Sequence, residues 1–303
     1  MKHELKLRYF ERLITKNCSD KYFIEQFLEG SGKELEKKFW SDRSSSRLCF
    51  DLYSWLCNEK QVKNFQFEKQ LPGVLVAKNR AAGVPNMDVY FEKGDDVFFI
   101  ESKYTEKDDW KYKDDKDGNN YHLSEAYWGE NGYKSCKLTI KERFYGYDKI
   151  AEAFRAFCID IQSAIEERKK EEQKKEEQKK FSWFDPKQET CHLFGIIFYV
   201  ILNGIKNKNI FLCNNVYKIE DDSFDIKESI VEVFKKKAET MLNDIFKENE
   251  CKFTFEVNTI QDILENGFKE LDFPQAQLFA KDKVNLVDYM NDNYKPYKRG
   301  TSK

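Results

Sequence analysis

The segment VPNMDVYFEKGDDVFFIESKYTE, residues 84–106, decides how this chain is read. It sets two short runs of β-branched and aromatic residues on either side of Gly94-Asp95, which is good chemistry for a two-residue hairpin turn. Closing the turn there puts Lys93 opposite Asp96, and the same register, followed outward, puts Asp88 opposite Glu101. Cross-strand partners share a face, with Cβ atoms about 5 Å apart. Lys103, two residues beyond Glu101, shares that face as well. Met87, Val89 and Phe91 against Phe98, Ile100 and Ser102 make the other face, which is core. The carboxylate face also carries Tyr90, Val97 and Phe99, so it too is partly covered.

Two carboxylates brought together under partial cover repel and lose hydration, and a divalent cation removes both penalties. Hard oxygen donors with no His or Cys beside them favour Mg2+, or Mn2+ in its place, over Zn2+. A lysine next to such an ion suits phosphodiester hydrolysis, because it can hold a phosphate oxygen and position the attacking water. The competing reading is a charged solvent face on an amphipathic hairpin, against which Tyr90, Val97 and Phe99 speak.

Outward from this hairpin the chain alternates helical and extended patterns. Residues 1–43 read as a mixed helical elaboration. Ser44, Ser45 and Ser46 offer an N-cap to a helix over 44–58, with Leu48, Cys49, Leu52, Trp55 and Leu56 on one face. Val74 to Ala77, Met87 to Glu92 and Val97 to Thr105 read as strands. Residues 106–145, polar and aromatic, read as an inserted loop region. A helix follows over 147–165, and the charged run 166–180 extends it through favourable i,i+4 Glu/Lys pairs with no apolar stripe. Cys191 to Leu202 is almost continuously apolar and reads as a strand buried on both sides. Beyond it, Asp225 to Phe246 reads as helix, Lys252 to Val257 as strand and Ile260 to Leu271 as helix. The expectation is one α/β domain over 1–303, a mixed central sheet flanked by helices, with its core at 44–202 and an α/β elaboration over 203–303.

At the hairpin the sequence resembles the PD-(D/E)XK nuclease superfamily, the restriction endonuclease-like fold. Pro85-Asn86-Met87-Asp88 and Glu101-Ser102-Lys103 match its two half-motifs, with the proline three residues before the acid instead of directly before it. The order of elements over roughly 44–202 is similar too. Ser45-Ser46-Arg47-Leu48-Cys49-Phe50-Asp51 and Cys158-Ile159-Asp160-Ile161-Gln162 are similar to segments of a group of bacterial restriction endonuclease-like proteins, although Arg47 stands where that group has Gln and no Arg-His pair follows Gln162. The resemblance implies Asp88 and Glu101 as metal ligands, Ser102 as a backbone carbonyl ligand and Lys103 as the catalytic lysine. It implies a Mg2+-dependent endonuclease on DNA, of restriction type. RNA or branched DNA as substrate, and a non-catalytic DNA-binding module, stay open as alternatives.

Other residues are less decisive. Asp51 lies at the edge of the first helix's apolar face, where it either overlooks the sheet as a further metal ligand or is solvated. Arg155 and Gln162 flank the core face of their helix, where they contact substrate or serve structure. His122 lacks a partner at catalytic or metal spacing, and His192 reads as a satisfied residue opening an apolar strand. Trp110, Tyr112, Tyr121, Tyr127, Trp128 and Tyr133 in the insert either grip nucleic acid or pack on their own domain.

Composition bounds the rest. With 303 residues, 40% hydrophobic and 35% charged, the chain is neither disordered nor collagen-like. Its longest apolar run, Leu193 to Leu202, is half of the roughly twenty residues that a membrane span needs. The charged N-terminus lacks the apolar stretch of a signal peptide, so a cytoplasmic location is expected. The eight cysteines include no C-x-x-C pair and read as reduced core thiols. With 52 Lys and Arg against 54 Asp and Glu, any polyanion site must be local. Cutting both strands of a duplex with one metal centre per chain implies a homodimer.

Overall fold

The computed structural model describes residues 25–27, 39, 44–72, 85–103, 144–174, 184–216, 230–260 and 262–263. The strand expected at 74–77, the insert at 106–143, most of the helix expected at 260–271 and nearly all of residues 1–43 lie outside these. The described part is α/β. Helix α1 (Ser45–Tyr53), continued by a 3-10 turn to Asn58, leads into strands β1 (Val62–Gln70), β2 (Asn86–Lys93) and β3 (Asp96–Lys103). Helices α2 (Asp148–Lys174) and α3 (Pro186–Leu202) precede β4 (Asn209–Val216), and α4 (Ile230–Ile245) precedes β5 (Lys252–Thr259). The strands form one mixed sheet in the order β1-β2-β3-β4-β5. The first three are antiparallel neighbours, while β3-β4 and β4-β5 are parallel. Parallel neighbours need long crossovers, and α2 with α3, then α4, supply them.

The hairpin closes as expected. Gly94 takes φ +59°, which favours glycine, and Lys93 pairs with Asp96, Glu92 with Val97, Tyr90 with Phe99 and Val89 with Ile100. Helix α1 starts where the serines indicated, with the Ser44 hydroxyl accepting from the Arg47 N–H at 3.1 Å. Helix α2 continues to Lys174, so the charged run is helical as far as it is described.

One assignment is overturned. Cys191 to Leu202 is helix, the larger part of α3, and the place given to it at the sheet centre belongs to β4. An unbroken apolar run suits a buried helix as well as a buried strand, and periodicity does not separate them. The local chemistry does. Asp185 accepts from the Gln188 N–H at 3.2 Å as N-cap, and Pro186 occupies the first helical position, where its missing N–H is harmless. The reading of all eight cysteines as reduced core thiols fails at Cys57, which is disulfide-bonded at the half-buried end of its 3-10 turn. Cys49, Cys158, Cys191, Cys213 and Cys251 are free.

Both faces of the sheet are covered. Helix α1 packs over β2 and β3, where stacked Phe91, Phe98 and Phe211 form a ladder across β2, β3 and β4 with centroids 4.8 Å apart. The opposite face carries the larger core. There Phe154, Phe157 and Ile161 of α2, Leu193 to Phe198 of α3, and Phe234 and Leu242 of α4 meet Phe99, Leu212 and Phe255 of the sheet. Gly195 lets α3 come close at the end of β1. A Cβ at Gly195 would lie 2.7 Å from both Leu71 Cβ and Pro85 Cγ, in a spot pinned by the Leu71 N–H to Pro85 carbonyl hydrogen bond. Gly195→Ala is therefore expected to lower stability by about 1–3 kcal/mol through overpacking, despite alanine's better helix propensity. A urea unfolding midpoint equal to wild type would contradict this packing.

Candidate active site

The antiparallel ladder between β2 and β3 closes as far as Val89 and Ile100. One step further its groups are engaged differently: the Ser102 N–H donates to Asp88 Oδ2 at 2.7 Å. The amide and carbonyl of one strand residue point to the same side, so the Ser102 carbonyl also faces β2. Asp88, Glu101 and Ser102 thus lie at the open end of the hairpin, one step past its last pair, and the direct Asp88–Glu101 pairing expected from the register is not among the pairs the two strands form. On the outer side Glu68 of β1 stands between Phe67 and Lys69, which pair with Val89 and Met87, and so falls in line with Asp88. Its backbone is left-handed, φ 50°.

Glu101 and Lys103 point under α3, where both are buried. Lys103 Nζ donates to Glu101 Oε1 at 2.7 Å and to Gln188 Oε1 at 2.8 Å, and Gln188 Nε2 donates to Glu101 Oε1 at 2.6 Å. The three side chains close a triangle. The other carboxylate oxygen, Glu101 Oε2, lies 3.7 Å from His192 Nε2. His192 Nδ1 is 3.3 Å from Glu189 Oε2, which also accepts from Asn214 Nδ2 at 3.0 Å. Asn214 is the residue of β4 paired with Glu101. Burial alone pushes His192 down, but the Glu189 and Glu101 carboxylates outweigh it and hold the imidazole above its ordinary pKa. Asp88 moves the other way. Burial first, and then the Glu101 and Glu68 carboxylates, hold its carboxyl well above the usual range, against the pull of Lys103 and of the Ser102 amide.

Gln188, Glu189, His192 and Asn214 had no signal of their own in the sequence. His192 was read as a satisfied core residue, and it is satisfied, but on a helix and against Glu101. With α3 recognised as a helix, Gln188 and His192 at i,i+4 fall on one face. Asp51 is buried, so the solvated reading of it fails, and its Oδ2 lies 3.7 Å from Arg47 Nε on its own helix. Gln162 is buried and donates to Glu166 at 2.8 Å, while Arg155 lies on the exposed side of α2. On the α1 face, buried Cys49 has its thiol held well above the usual range by burial and, next, by Asp88.

The donor set fits a hard divalent cation in chemistry. Asp88 and Glu101 would offer carboxylates and Ser102 a carbonyl, although Glu101 Oε1 already accepts from Lys103 and Gln188. Among the described residues no three His, Cys, Asp or Glu side chains converge as a group that could hold a metal. Neither a family model, a curated protein nor a solved structure matches this chain.

A carboxyl whose folded pKa is raised stabilises the fold below its unfolded pKa, and that contribution is lost as pH rises through the folded value. In EDTA the wild type is therefore expected to lose stability as pH climbs from about 4 towards 8. Asp88→Asn should flatten that decline and raise the melting temperature near neutrality by about 2–4 °C. Thermal scans showing the variant less stable across the whole range would contradict the crowding of Asp88.

Proposed function

We propose that the protein is a Mg2+-dependent nuclease hydrolysing phosphodiester bonds of DNA, related to the PD-(D/E)XK superfamily it resembles. The observation that carries this reading is a lysine held 2.7 Å from a buried glutamate, beside an aspartate whose carboxyl is crowded by that glutamate. Asp88, Glu101 and the Ser102 carbonyl would hold the cation, which when bound supplies Lewis-acid stabilisation of the phosphate charge and a more acidic water.

The chain's own groups do the rest. Gln188 fixes the Lys103 ammonium by accepting from it, and fixes Glu101 by donating to it, so neither is free to swing away as charge develops. Lys103 would hold a phosphate oxygen or orient the attacking water. His192, whose pKa the Glu189 and Glu101 carboxylates raise, lies behind Glu101 at 3.7 Å and in its protonated form would offset the negative charge there. Glu189, anchored by Asn214, keeps His192 in place.

The test is incubation of the purified protein with plasmid, single-stranded DNA and RNA, in Mg2+ and in EDTA. Metal-dependent cleavage of DNA is expected. Asp88→Ala and Glu101→Ala should each abolish it and weaken Mn2+ binding measured by calorimetry. Lys103→Ala should keep Mn2+ binding while cleavage falls by about 10²–10³-fold. Absence of both cleavage and divalent-ion binding would overturn the proposal, and Mn2+ binding unaffected by Asp88→Ala would misplace the site.

A further inference from the structure

A cleft opens on the α3 side of the sheet, at its β1 edge, just along the strand from the carboxylates. Its volume is about 250 Å3, and it is lined by Asn64, Phe65, Gln66, Lys69, Tyr90 and Tyr199. The sequence accounts for its existence. Asn64 takes a left-handed φ of 54°, and the β1-β2 register shifts between Lys63 and Gln66, so the edge strand bulges away from its neighbour there.

Two tyrosines form one wall. Tyr90 of β2 and Tyr199 of α3 meet edge to face, with centroids 5.7 Å apart and their hydroxyls 2.8 Å apart. The ammonium of half-buried Lys69 lies 5.0 Å from the Tyr90 ring centroid and 5.6 Å from that of Tyr199. Burial holds Lys69 below its ordinary pKa, opposed by the Glu92 carboxylate. Glu92 is itself engaged, accepting from the Tyr90 hydroxyl at 2.5 Å and from Asn64 Nδ2 at 2.8 Å. Tyr90 is buried, so what the cleft presents is a partly dehydrated cation, the half-exposed Tyr199 ring and a rim of amides.

These groups suit a ligand with a flat π-face and a negative charge. A bare anion leaves the Tyr199 ring unused, and an apolar molecule leaves half-buried Lys69 with only the Glu92 carboxylate, already engaged by Tyr90 and Asn64, as counter-charge. A nucleotide has both parts. Tyr90 is two residues from Asp88 on the same face of β2, about 7 Å along the strand, close enough for one nucleotide step to reach from the carboxylates to the cleft.

We propose that this cleft receives an unpaired nucleotide next to the phosphodiester being cut, with its phosphate on Lys69 and its base against the Tyr199 ring. The proposal rests on the nuclease reading and narrows its substrate class. A base inside a duplex has its faces covered by stacking and its edge by its partner, so only single-stranded or extruded nucleotides can enter. The enzyme should therefore favour single strands, or duplexes with unpaired positions.

The experiment uses the full-length protein with Ca2+ in place of Mg2+, and fluorescence anisotropy of a labelled twelve-nucleotide (about one turn of duplex) DNA single strand and of the blunt duplex of the same sequence. The single strand is expected to bind at least about tenfold more tightly. Tyr199→Leu and Lys69→Met should each weaken single-strand binding by about tenfold, as loss of a stacking platform does. Tyr199→Phe, which keeps the ring, should retain it. Both residues are half-exposed, and Mn2+ binding equal to wild type in each variant confirms that the fold and the carboxylate site persist. Equal affinity for single strand and duplex, or cleft variants that bind as wild type does, would overturn the inference. If cleavage and Mn2+ binding are present in that case, the nuclease reading stands and only the cleft assignment falls. If instead the cleft variants lose single-strand binding while the wild type binds no Mn2+ and cuts nothing, the nucleotide cleft stands and the nuclease reading falls.

Discussion

Burying Glu101 and Lys103 beneath a helix costs several kcal/mol per ion unless each finds partners, and that constraint orders much of this fold. The pair meets at 2.7 Å, and α3 brings Gln188 to both and His192 to the remaining carboxylate oxygen. For Gln188 and His192 to sit there, α3 has to lie close against the sheet, and Gly195 provides the close approach. The parallel strand β4 then brings Asn214 to Glu189. The charged triangle and its histidine thus lie under the same helix that closes the larger apolar core.

The same economy explains why Asp88 differs from Glu101. Glu101 is surrounded by donors, whereas Asp88 has the Ser102 amide on one oxygen and the Glu101 and Glu68 carboxylates as neighbours. A site that satisfies one acid and leaves the adjacent one crowded is stable with a proton on the second acid, or with a cation shared between the two.

The hairpin was legible because its information is local. Gly94-Asp95 sets the turn, and the turn sets the register that the strands keep from Lys93–Asp96 as far as Val89–Ile100. Ser44 and the start of α1 were legible for the same reason. The misreading of Cys191 to Leu202 came from weighting an apolar run above its boundary, where Asp185-Pro186 marks a helix start. With that helix taken for a strand, Gln188 and His192 had no face to share and the inner half of the site was invisible. Strand β1 went unread because Asn64 and Glu68, both at positive φ, sit inside a segment whose alternation is broken by a bulge. Asn214 joins only through tertiary structure, since its pairing with Glu101 spans the whole crossover.

The central claim is that Asp88, Glu101 and the Ser102 carbonyl share one divalent cation beside Lys103. The most direct measurement is an anomalous difference map from a crystal of the protein soaked in Mn2+. The account predicts a single strong peak within coordination distance of both carboxylates and of the Ser102 carbonyl, with Lys103 still paired to Gln188. A map without a peak at these groups, or one with Mn2+ bound only elsewhere on the surface, would contradict it.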